Sequence, residues 1–263
     1  MRTRLLLLQP SDVDPPERLA DWLTAAGAEL TLCRPAADGV PEGPDGLEGF
    51  DGVVCMGGAM SANDDAEYPW LADLRWLLAR AVGQRLPVLG ICLGGQLLAT
   101  ATGGAVRRGV DGPEAGTLLV AKRDAAAHDP LFAELPLTPD VIQFHHDEIH
   151  RLPPGATLLA SSPKYPNQAF RVGAAGYGLQ FHIETSPATV LSWARHDAAG
   201  AAAVRPGQLD PDHLERAHAE LAETWQPVAA RFVALAAGEL APAGTGPATV
   251  GPGDRPSLPL LGH

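Results

Sequence analysis

Basic clusters, paired cysteines and long apolar runs are scarce in this sequence. It has 19 Lys and Arg against 31 Asp and Glu, which gives a formal net charge of −12. Because nucleic-acid phosphates are neutralised by clustered Lys and Arg, this balance argues against a nucleic-acid-binding surface. No stretch reaches the roughly 18 apolar residues of a membrane helix, and the apolar run at 5–8 is too short for a signal peptide. We therefore expect neither a nucleic-acid partner nor a membrane partner.

The three cysteines, Cys33, Cys55 and Cys92, are odd in number and show no zinc-like spacing. A reducing cytoplasm is the natural compartment for such a chain. Cys33 and Cys55 fall inside predicted apolar strands, where a free cysteine packs as a small core residue. Cys92 is therefore the cysteine to consider for chemistry.

The first hundred residues alternate strand and helix signals, which predicts a parallel sheet covered on both faces. Strands are predicted at 4–9, 29–34, 50–56 and 87–91, and helices at 15–28, 69–84 and 94–102. Beyond Gly103 the pattern predicts shorter strands in a mixed sheet region and then a helix: strands at 105–108, 116–121, 141–144, 157–161, 168–172 and 177–182, and a helix at 188–196. The expected fold is α/β, a doubly wound, mostly parallel sheet flanked by helices.

The C-terminal part differs in composition from the rest of the chain. Residues 197–209 have the Ala, Gly and Pro content of a linker, and 210–237 predicts a long helix. The last residues are rich in Gly and Pro without periodicity, which predicts disorder. We therefore divide the chain into a main domain at 1–196, a C-terminal helical extension at 197–240 and a disordered tail at 241–263.

The segment 87–96, Pro-Val-Leu-Gly-Ile-Cys-Leu-Gly-Gly-Gln, is the most informative for function. A short apolar strand runs directly into Cys92 and then into a small-residue helix, which is the layout of a nucleophile elbow. The glycines around Cys92 suit a tight turn with a closely approaching helix. A helix start also favours the thiolate, and the N–H of Leu93 would face a developing oxyanion. A lone cysteine is more often a buried structural residue, but this context favours a nucleophile.

The second informative segment is 180–184, Gln-Phe-His-Ile-Glu. In an extended segment residues two apart project to the same side, so His182 and Glu184 share a face while Phe181 and Ile183 turn to the core. A carboxylate beside an imidazole fixes its tautomer and stabilises its charged form. Alone, His-x-Glu is more often a polar pair at a strand end. Combined with an elbow cysteine, it predicts a Cys–His–Glu triad.

Taken together, these motifs resemble those of the class-I glutamine amidotransferases. Residues 90–96 resemble the G-x-C-x-G-x-Q nucleophile motif, and 180–184 resemble Q-F-H-P-E. Met-Gly-Gly at 56–58 resembles the family's oxyanion-strand glycines, and Phe-His-His-Asp at 144–147 resembles its W/S-H-x-D segment. The resemblance spans about residues 4–195 and is strongest for stand-alone members similar to the glutaminase domain of GMP synthetase. Ile183 and Ala59 replace prolines of the family pattern, at positions that supply no reacting group.

The resemblance implies a flavodoxin-like amidotransferase fold with Cys92, His182 and Glu184 as catalytic residues. Cys92 would attack the side-chain amide of glutamine or of a γ-glutamyl compound, and His182 would carry the thiol proton to the leaving amine. Water would then hydrolyse the γ-glutamyl thioester.

Further site residues are implied by the same resemblance. They are Gly58 and Leu93 as oxyanion donors, and Gly57, Gln96, His145 and Asp147 as substrate-binding residues, with His145 and Asp147 equally suited to bracing the loop over the site. No cofactor is implied. No metal is expected, because these histidines and acids already have roles and no ligand cluster stands out.

Three functions remain open from the sequence. The chain has neither a P-loop nor an S-G-G-x-D-S nucleotide-binding motif, so it shows no ATP-using half. It therefore either passes ammonia to a separate synthetase subunit or acts as a free-standing γ-glutamyl peptide hydrolase. A non-catalytic regulatory subunit is the third possibility, and the presence of all three triad residues argues against it.

Overall fold

The computed structural model describes residues 2–43 and 45–244. The predicted disordered tail, 241–263, lies outside the described residues except for its first four. Among the described residues, no helix has the length and apolar character needed to cross a bilayer.

An eight-stranded sheet forms the centre of the fold, in the order β2-β1-β3-β4-β12-β11-β10-β7. The first five strands in this order run parallel to one another, which confirms the doubly wound, mostly parallel sheet. The elements of this half are β1 (Thr3–Leu8), α1 (Glu17–Ala25), β2 (Ala28–Cys33), α2 (Pro35–Asp38), β3 (Gly52–Cys55), α3 (Trp70–Gly83), β4 (Val88–Ile91), α4 (Leu93–Ala101) and β12 (Gly176–Leu179).

Strand β1 shows why this half is layered. Side chains alternate between the two faces of a strand. Leu5 and Leu7 belong to the apolar cluster on the α1 side of the sheet. Leu6 and Leu8 belong to the cluster that α3 and α4 cover. Because both faces are buried here, the last four residues of the strand are all leucine, in keeping with the nearly continuous apolar runs of parallel sheets.

Antiparallel strands complete the large sheet and form two small ones. The pairs β12–β11, β11–β10 and β10–β7 are antiparallel. The remaining strands are β5 (Ala105–Arg108), β6 (Glu114–Leu119), β7 (Ala121–Lys122), β8 (Asp140–His145), β9 (Asp147–Arg151), β10 (Thr157–Ser161) and β11 (Ala169–Val172), and a 3₁₀ turn spans Asp124–His128. Strand β9 was not predicted, because its polar sequence lacks the apolar alternation of a typical strand. It pairs with β5, and β6 pairs with β8.

The expected linker at 197–209 is partly wrong, because it contains a helix. Helix α5 (Pro187–His196) is followed at once by α6 (Ala198–Ala203). The carboxylate of Asp197 accepts hydrogen bonds from the N–H groups of Ala199 and Gly200, at 3.1 and 3.0 Å. A good N-cap followed by alanines, which have the highest helix propensity, favours a helix at this position.

The last helix, α7 (Pro211–Ala236), packs on α1 and on β8. The Trp225 side chain is fully buried. Its ring centroid lies 6.0 Å from that of Phe132 and 5.2 Å from that of Phe181. Its indole N–H donates to the carbonyl oxygen of Asp140 at 2.8 Å. The predicted helical extension therefore shares the hydrophobic core of the main domain.

Candidate active site

Cys92 lies in the turn between β4 and α4, where the sequence predicts a nucleophile elbow. Its φ angle of +47° is in the left-handed region, which costs a non-glycine residue about 1–3 kcal/mol and persists only where the surroundings hold it. Two backbone hydrogen bonds do so: the Cys92 N–H donates to Leu179 at 2.8 Å, and the Cys92 carbonyl accepts from Gln96 at 2.9 Å.

Glycines next to Cys92 are required by close backbone approach. A Cβ atom on Gly94 would overlap the carbonyl oxygen of Cys55, and one on Gly90 would come within 2.5 Å of Gly94. The helix can start directly beside the sheet only because both positions lack a side chain. This arrangement holds the thiol of Cys92 at the carboxyl edge of the parallel strands.

His182 lies beyond the end of strand β12. The strand expected at 177–182 ends at Leu179, because its partner β4 ends at the elbow. His182 instead forms a bridge to Ile142 of β8, with hydrogen bonds of 2.8 Å from its N–H and 3.2 Å to its carbonyl. The imidazole is therefore positioned by two strands that are far apart in the sequence.

His182 and Glu184 form a buried pair. Nδ1 of His182 lies 2.7 Å from Oε1 of Glu184, and each side chain is 1% exposed. The second carboxylate oxygen accepts the N–H of Ile183 at 2.9 Å. Burial lowers the pKa of His182, but the Glu184 carboxylate and the Cys92 thiol outweigh it and raise that pKa well above the usual range. The pair therefore favours the imidazolium beside Cys92.

Gln180 lies near the Cys92 sulfur and is hydrogen-bonded to Gln96. Nε2 of Gln180 is 3.9 Å from Sγ of Cys92. Nε2 of Gln96 donates to Oε1 of Gln180 at 3.2 Å and reaches the carbonyl of Asp147 at 3.4 Å. The sequence predicts a substrate-binding role for Gln96. It identifies Gln180 only as the first residue of the 180–184 motif, because the contact of its side chain with Cys92 depends on the fold.

The predicted oxyanion donors are neighbours. A Cβ atom on Gly58 would come within 2.6 Å of the Leu93 side chain. Neither the N–H of Gly58 nor that of Leu93 donates to an acceptor in the part of the chain that the structure describes. Leu93 begins α4, and the first N–H groups of a helix have no partner within the helix. Both groups are therefore available to a ligand.

His145 and Asp147 are held within the protein. Nδ1 of His145 lies 2.8 Å from the Asp147 carbonyl, and Nε2 lies 3.1 Å from the carboxylate of Glu114. The Asp147 carboxylate accepts from the hydroxyl of Ser61 at 2.6 Å. Because both ring nitrogens of His145 have protein partners, the geometry favours the bracing role.

A cavity of about 780 Å³ opens at this edge of the sheet. Its wall includes Cys92, His182, Gly58, Gln96 and Asp147, so the structure brings these predicted residues together. Gly57 lies beneath them, since a Cβ there would come 3.2 Å from the His182 ring. Within the described residues, no group of three or more His, Cys, Asp or Glu could hold a metal ion.

Asp14 and Trp193 also line the cavity, and sequence reasoning missed both. The Trp193 ring lies 4.6 Å from the His182 ring, and its N–H donates to the carbonyl of Val13 at 2.9 Å. Burial raises the pKa of Asp14 to about 6, although the charge of His182 acts in the opposite direction. One signal was present for Asp14: it follows the first strand, and ligands of doubly wound sheets bind at the carboxyl ends of the strands.

The sequence of this chain matches a known protein family. Residues 17–191 match the family model described as glutamine amidotransferase class-I. The chain belongs to this family. The class-I amidotransferase match covers most of the doubly wound sheet and the segments 87–96 and 180–184.

Similar proteins include both peptidases and synthetase domains. Gamma-glutamyl peptidase 4 of Arabidopsis thaliana is 33% identical over 55% of this chain and 57% of its own length. The glutamine-hydrolysing GMP synthase of Christiangramia forsetii is 32% identical over 56% of this chain and 27% of its own length. A glutamine amidotransferase structure from Thermotoga maritima superposes with a TM-score of 0.75 and 29% identity, covering 89% of this chain and 99% of that one. The chain thus spans little more than half the length of the plant peptidase.

Proposed function

We propose that this class-I amidotransferase is a cysteine amidohydrolase that cleaves the side-chain amide of glutamine or of a γ-glutamyl compound. Its triad is Cys92, His182 and Glu184. The observation that carries the proposal is the buried His182–Glu184 pair, 2.7 Å apart, beside the thiol of an elbow cysteine. An imidazole with a raised pKa can take the thiol proton and hold it until the amine leaves.

The reaction has two stages. The Cys92 sulfur bonds to the amide carbon while the N–H groups of Gly58 and Leu93 hold the oxyanion, a contribution typically worth about 2.7–4 kcal/mol per donor. As the C–N bond breaks, His182 transfers the thiol proton to the leaving nitrogen. Water then attacks the thioester and gives a proton to His182, which returns it to sulfur as the C–S bond breaks. Glu184 orients the imidazole and stabilises its charge throughout.

The size of the cavity favours a γ-glutamyl compound larger than glutamine. At about 780 Å³ it lies within the range of sites that enclose drug-sized ligands, so it leaves room for a leaving group beyond ammonia. This supports a free-standing γ-glutamyl peptide hydrolase. Ammonia transfer to a separate synthetase subunit is the second candidate, supported by the similarity to GMP synthases.

We also propose a domain organisation and a cellular location for this protein. We retain 1–196 as the catalytic unit and 197–240 as a helical extension that closes its core through Trp225. Cys33, Cys55 and Cys92 are all free thiols, which supports a reducing compartment such as the cytoplasm.

The test is an assay of the isolated protein on two substrates, with ammonia release measured from glutamine and alanine release from γ-glutamyl-alanine. We expect alanine release that is abolished in Cys92→Ala and retained in Cys33→Ser. Ammonia release from glutamine alone would favour the synthetase-linked function. Release from neither substrate, or undiminished release by Cys92→Ala, would overturn the proposal.

A further inference from the structure

Asp14 occupies an unusual place for a carboxylate. It lies in the loop between β1 and α1, is only 7% exposed and lines the cavity. A Cβ atom on Gly57 would lie 3.1 Å from Oδ1 of Asp14 and 3.2 Å from Cε1 of His182. The carboxylate and the edge of the imidazole therefore both lie close to Gly57.

Few groups of the protein compensate the cost of burying the Asp14 carboxylate. No Lys or Arg of the described residues forms an ion pair with it. The Ser11 side chain is its hydrogen-bonding neighbour, and the other groups that affect its pKa are His182 and Glu184. A buried carboxylate is costly unless it is paired. Because Asp14 lines the cavity, a bound ligand can supply a hydrogen-bond donor to its carboxylate.

The position of His182 indicates which part of a substrate Asp14 would meet. The imidazole must reach both the thiol and the leaving nitrogen. Asp14 and Trp193 both lie close to His182 and line the same cavity as Cys92. A nitrogen that receives its proton from His182 would therefore leave within the part of the cavity that Asp14 lines.

We propose that Asp14 is a specificity-determining residue for the leaving group, and that its carboxylate accepts an N–H from the departing nitrogen. This inference rests on the proposed function. As the C–N bond breaks, the nitrogen gains a proton from His182 and its hydrogens become more positive. The hydrogen bond to Asp14 is then stronger in the transition state than in the bound substrate, which is the condition for acceleration.

The pKa of Asp14, raised to about 6 by burial, leaves the carboxylate mostly ionised at neutral pH. An ionised acceptor makes a hydrogen bond roughly twice as strong as a neutral one. An amide nitrogen is therefore favoured over an ester oxygen, which has no hydrogen to donate.

The test compares two substrates that differ by one N–H, L-γ-glutamyl-methylamide and L-glutamic acid γ-methyl ester. They share the same α-amino and α-carboxyl groups, so the ratio of their kcat/KM values isolates the leaving atom. In Asp14→Asn and Asp14→Ser we expect the amide-to-ester ratio to fall by roughly ten- to a hundredfold, as for a lost hydrogen bond to a charged group. The ratio is measured within one sample, so a loss of folded protein does not change it.

The matched control is Asp12→Asn, two residues away, whose carboxylate is exposed and lies 3.7 Å from Arg34. Its ratio should equal that of the wild type. An unchanged ratio in both Asp14 variants, even with both activities reduced, would show a structural or α-ammonium role and overturn the inference alone. If the wild type cleaves neither substrate, the proposed function fails as well.

Discussion

Nδ1 of His182 and Oε1 of Glu184 lie 2.7 Å apart in a region where each side chain is 1% exposed. The two residues are separated by one position in sequence, but no strand holds them in register. The bridge of His182 to Ile142 and the bond from the Ile183 N–H to Glu184 fix the pair. In such a dry setting a charged imidazole depends on its carboxylate.

Replacing Glu184 by Gln should reduce kcat/KM by about 10²–10⁴-fold. Glu184 raises the pKa of His182, together with the nearby Cys92 and against the effect of burial. The substitution should therefore lower that pKa and move the alkaline limb of the kcat/KM profile to lower pH, because the imidazolium that protonates the leaving amine is lost earlier. Asp14 is the remaining acid beside the ring. An unshifted limb in a folded variant, checked by circular dichroism, would contradict the assigned role of Glu184.

Cys92 should be the first cysteine modified by iodoacetamide at neutral pH. Burial raises the pKa of Cys55 to about 12 and also raises the pKa of Cys33, and the thiolate is the reactive form. Intact-mass spectrometry should therefore show a single adduct in the wild type and in Cys33→Ser. The adduct should be absent from Cys92→Ala at the same exposure. Equal labelling of Cys92→Ala would place the reactive thiol elsewhere.

Asp14→Asn should change how stability depends on pH. The pKa of Asp14 is about 6 in the folded protein against 3.8 for the free group, mainly because of burial. Its contribution to stability is therefore fully present below pH 3.8 and is lost as pH rises through about 6. Relative to the variant, the unfolding free energy of the wild type should fall by about 2 kcal/mol between about pH 4 and pH 7.

Urea denaturation at the two pH values measures this difference. The neighbours of Asp14 that titrate, His182 and Glu184, are present in both proteins. Asp12→Asn, at an exposed carboxylate, should follow the wild type. If the difference in unfolding free energy between the wild type and Asp14→Asn does not change with pH, burial does not raise the pKa of Asp14.

Gly94→Ala should disrupt the elbow. Its methyl group would overlap the carbonyl oxygen of Cys55, and backbone cannot move aside cheaply in a packed sheet, so we expect a loss of about 3 kcal/mol or more. The control is Gly83→Ala at the end of α3, where nothing lies within 4 Å of the new atom. Gly83→Ala should raise the free energy of unfolding by about 0.5–1 kcal/mol. Thermal unfolding distinguishes them, and equal melting temperatures would contradict the close-approach argument.

Trp225→Ala should lower the unfolding free energy by about 3–5 kcal/mol, because a fully buried aromatic side chain and its hydrogen bond to Asp140 are removed. Trp76, which is 50% exposed on α3, is the matched control, and its replacement by Ala should cost much less. Urea unfolding followed by circular dichroism measures both. If both variants have wild-type stability, α7 does not belong to the cooperative core.

Local sequence was sufficient for the elbow and for the His182–Glu184 pair. The strand, the glycines and the helix around Cys92 are contiguous, so their steric requirements appear as a motif. His182 and Glu184 remain close even though β12 ends at Leu179, because two residues with a single residue between them cannot move far apart. The parallel half of the sheet was also predictable from local sequence, since short and nearly continuous apolar runs identify strands buried on both faces.

The tertiary structure decided what surrounds the proposed triad. In the sequence, Asp14 lies 168 positions before His182 and Trp193 lies 11 positions after it. Neither residue belongs to a motif. They reach the imidazole because β1 lies in the same parallel half of the sheet as β4 and β12, and because α5 contributes to the wall of the cavity. The depth at which Asp14 is buried, and hence its pKa, is set by every element packed around it. Local sequence thus determined the reacting groups, whereas long-range packing determined their electrostatic environment and the space left for the leaving group.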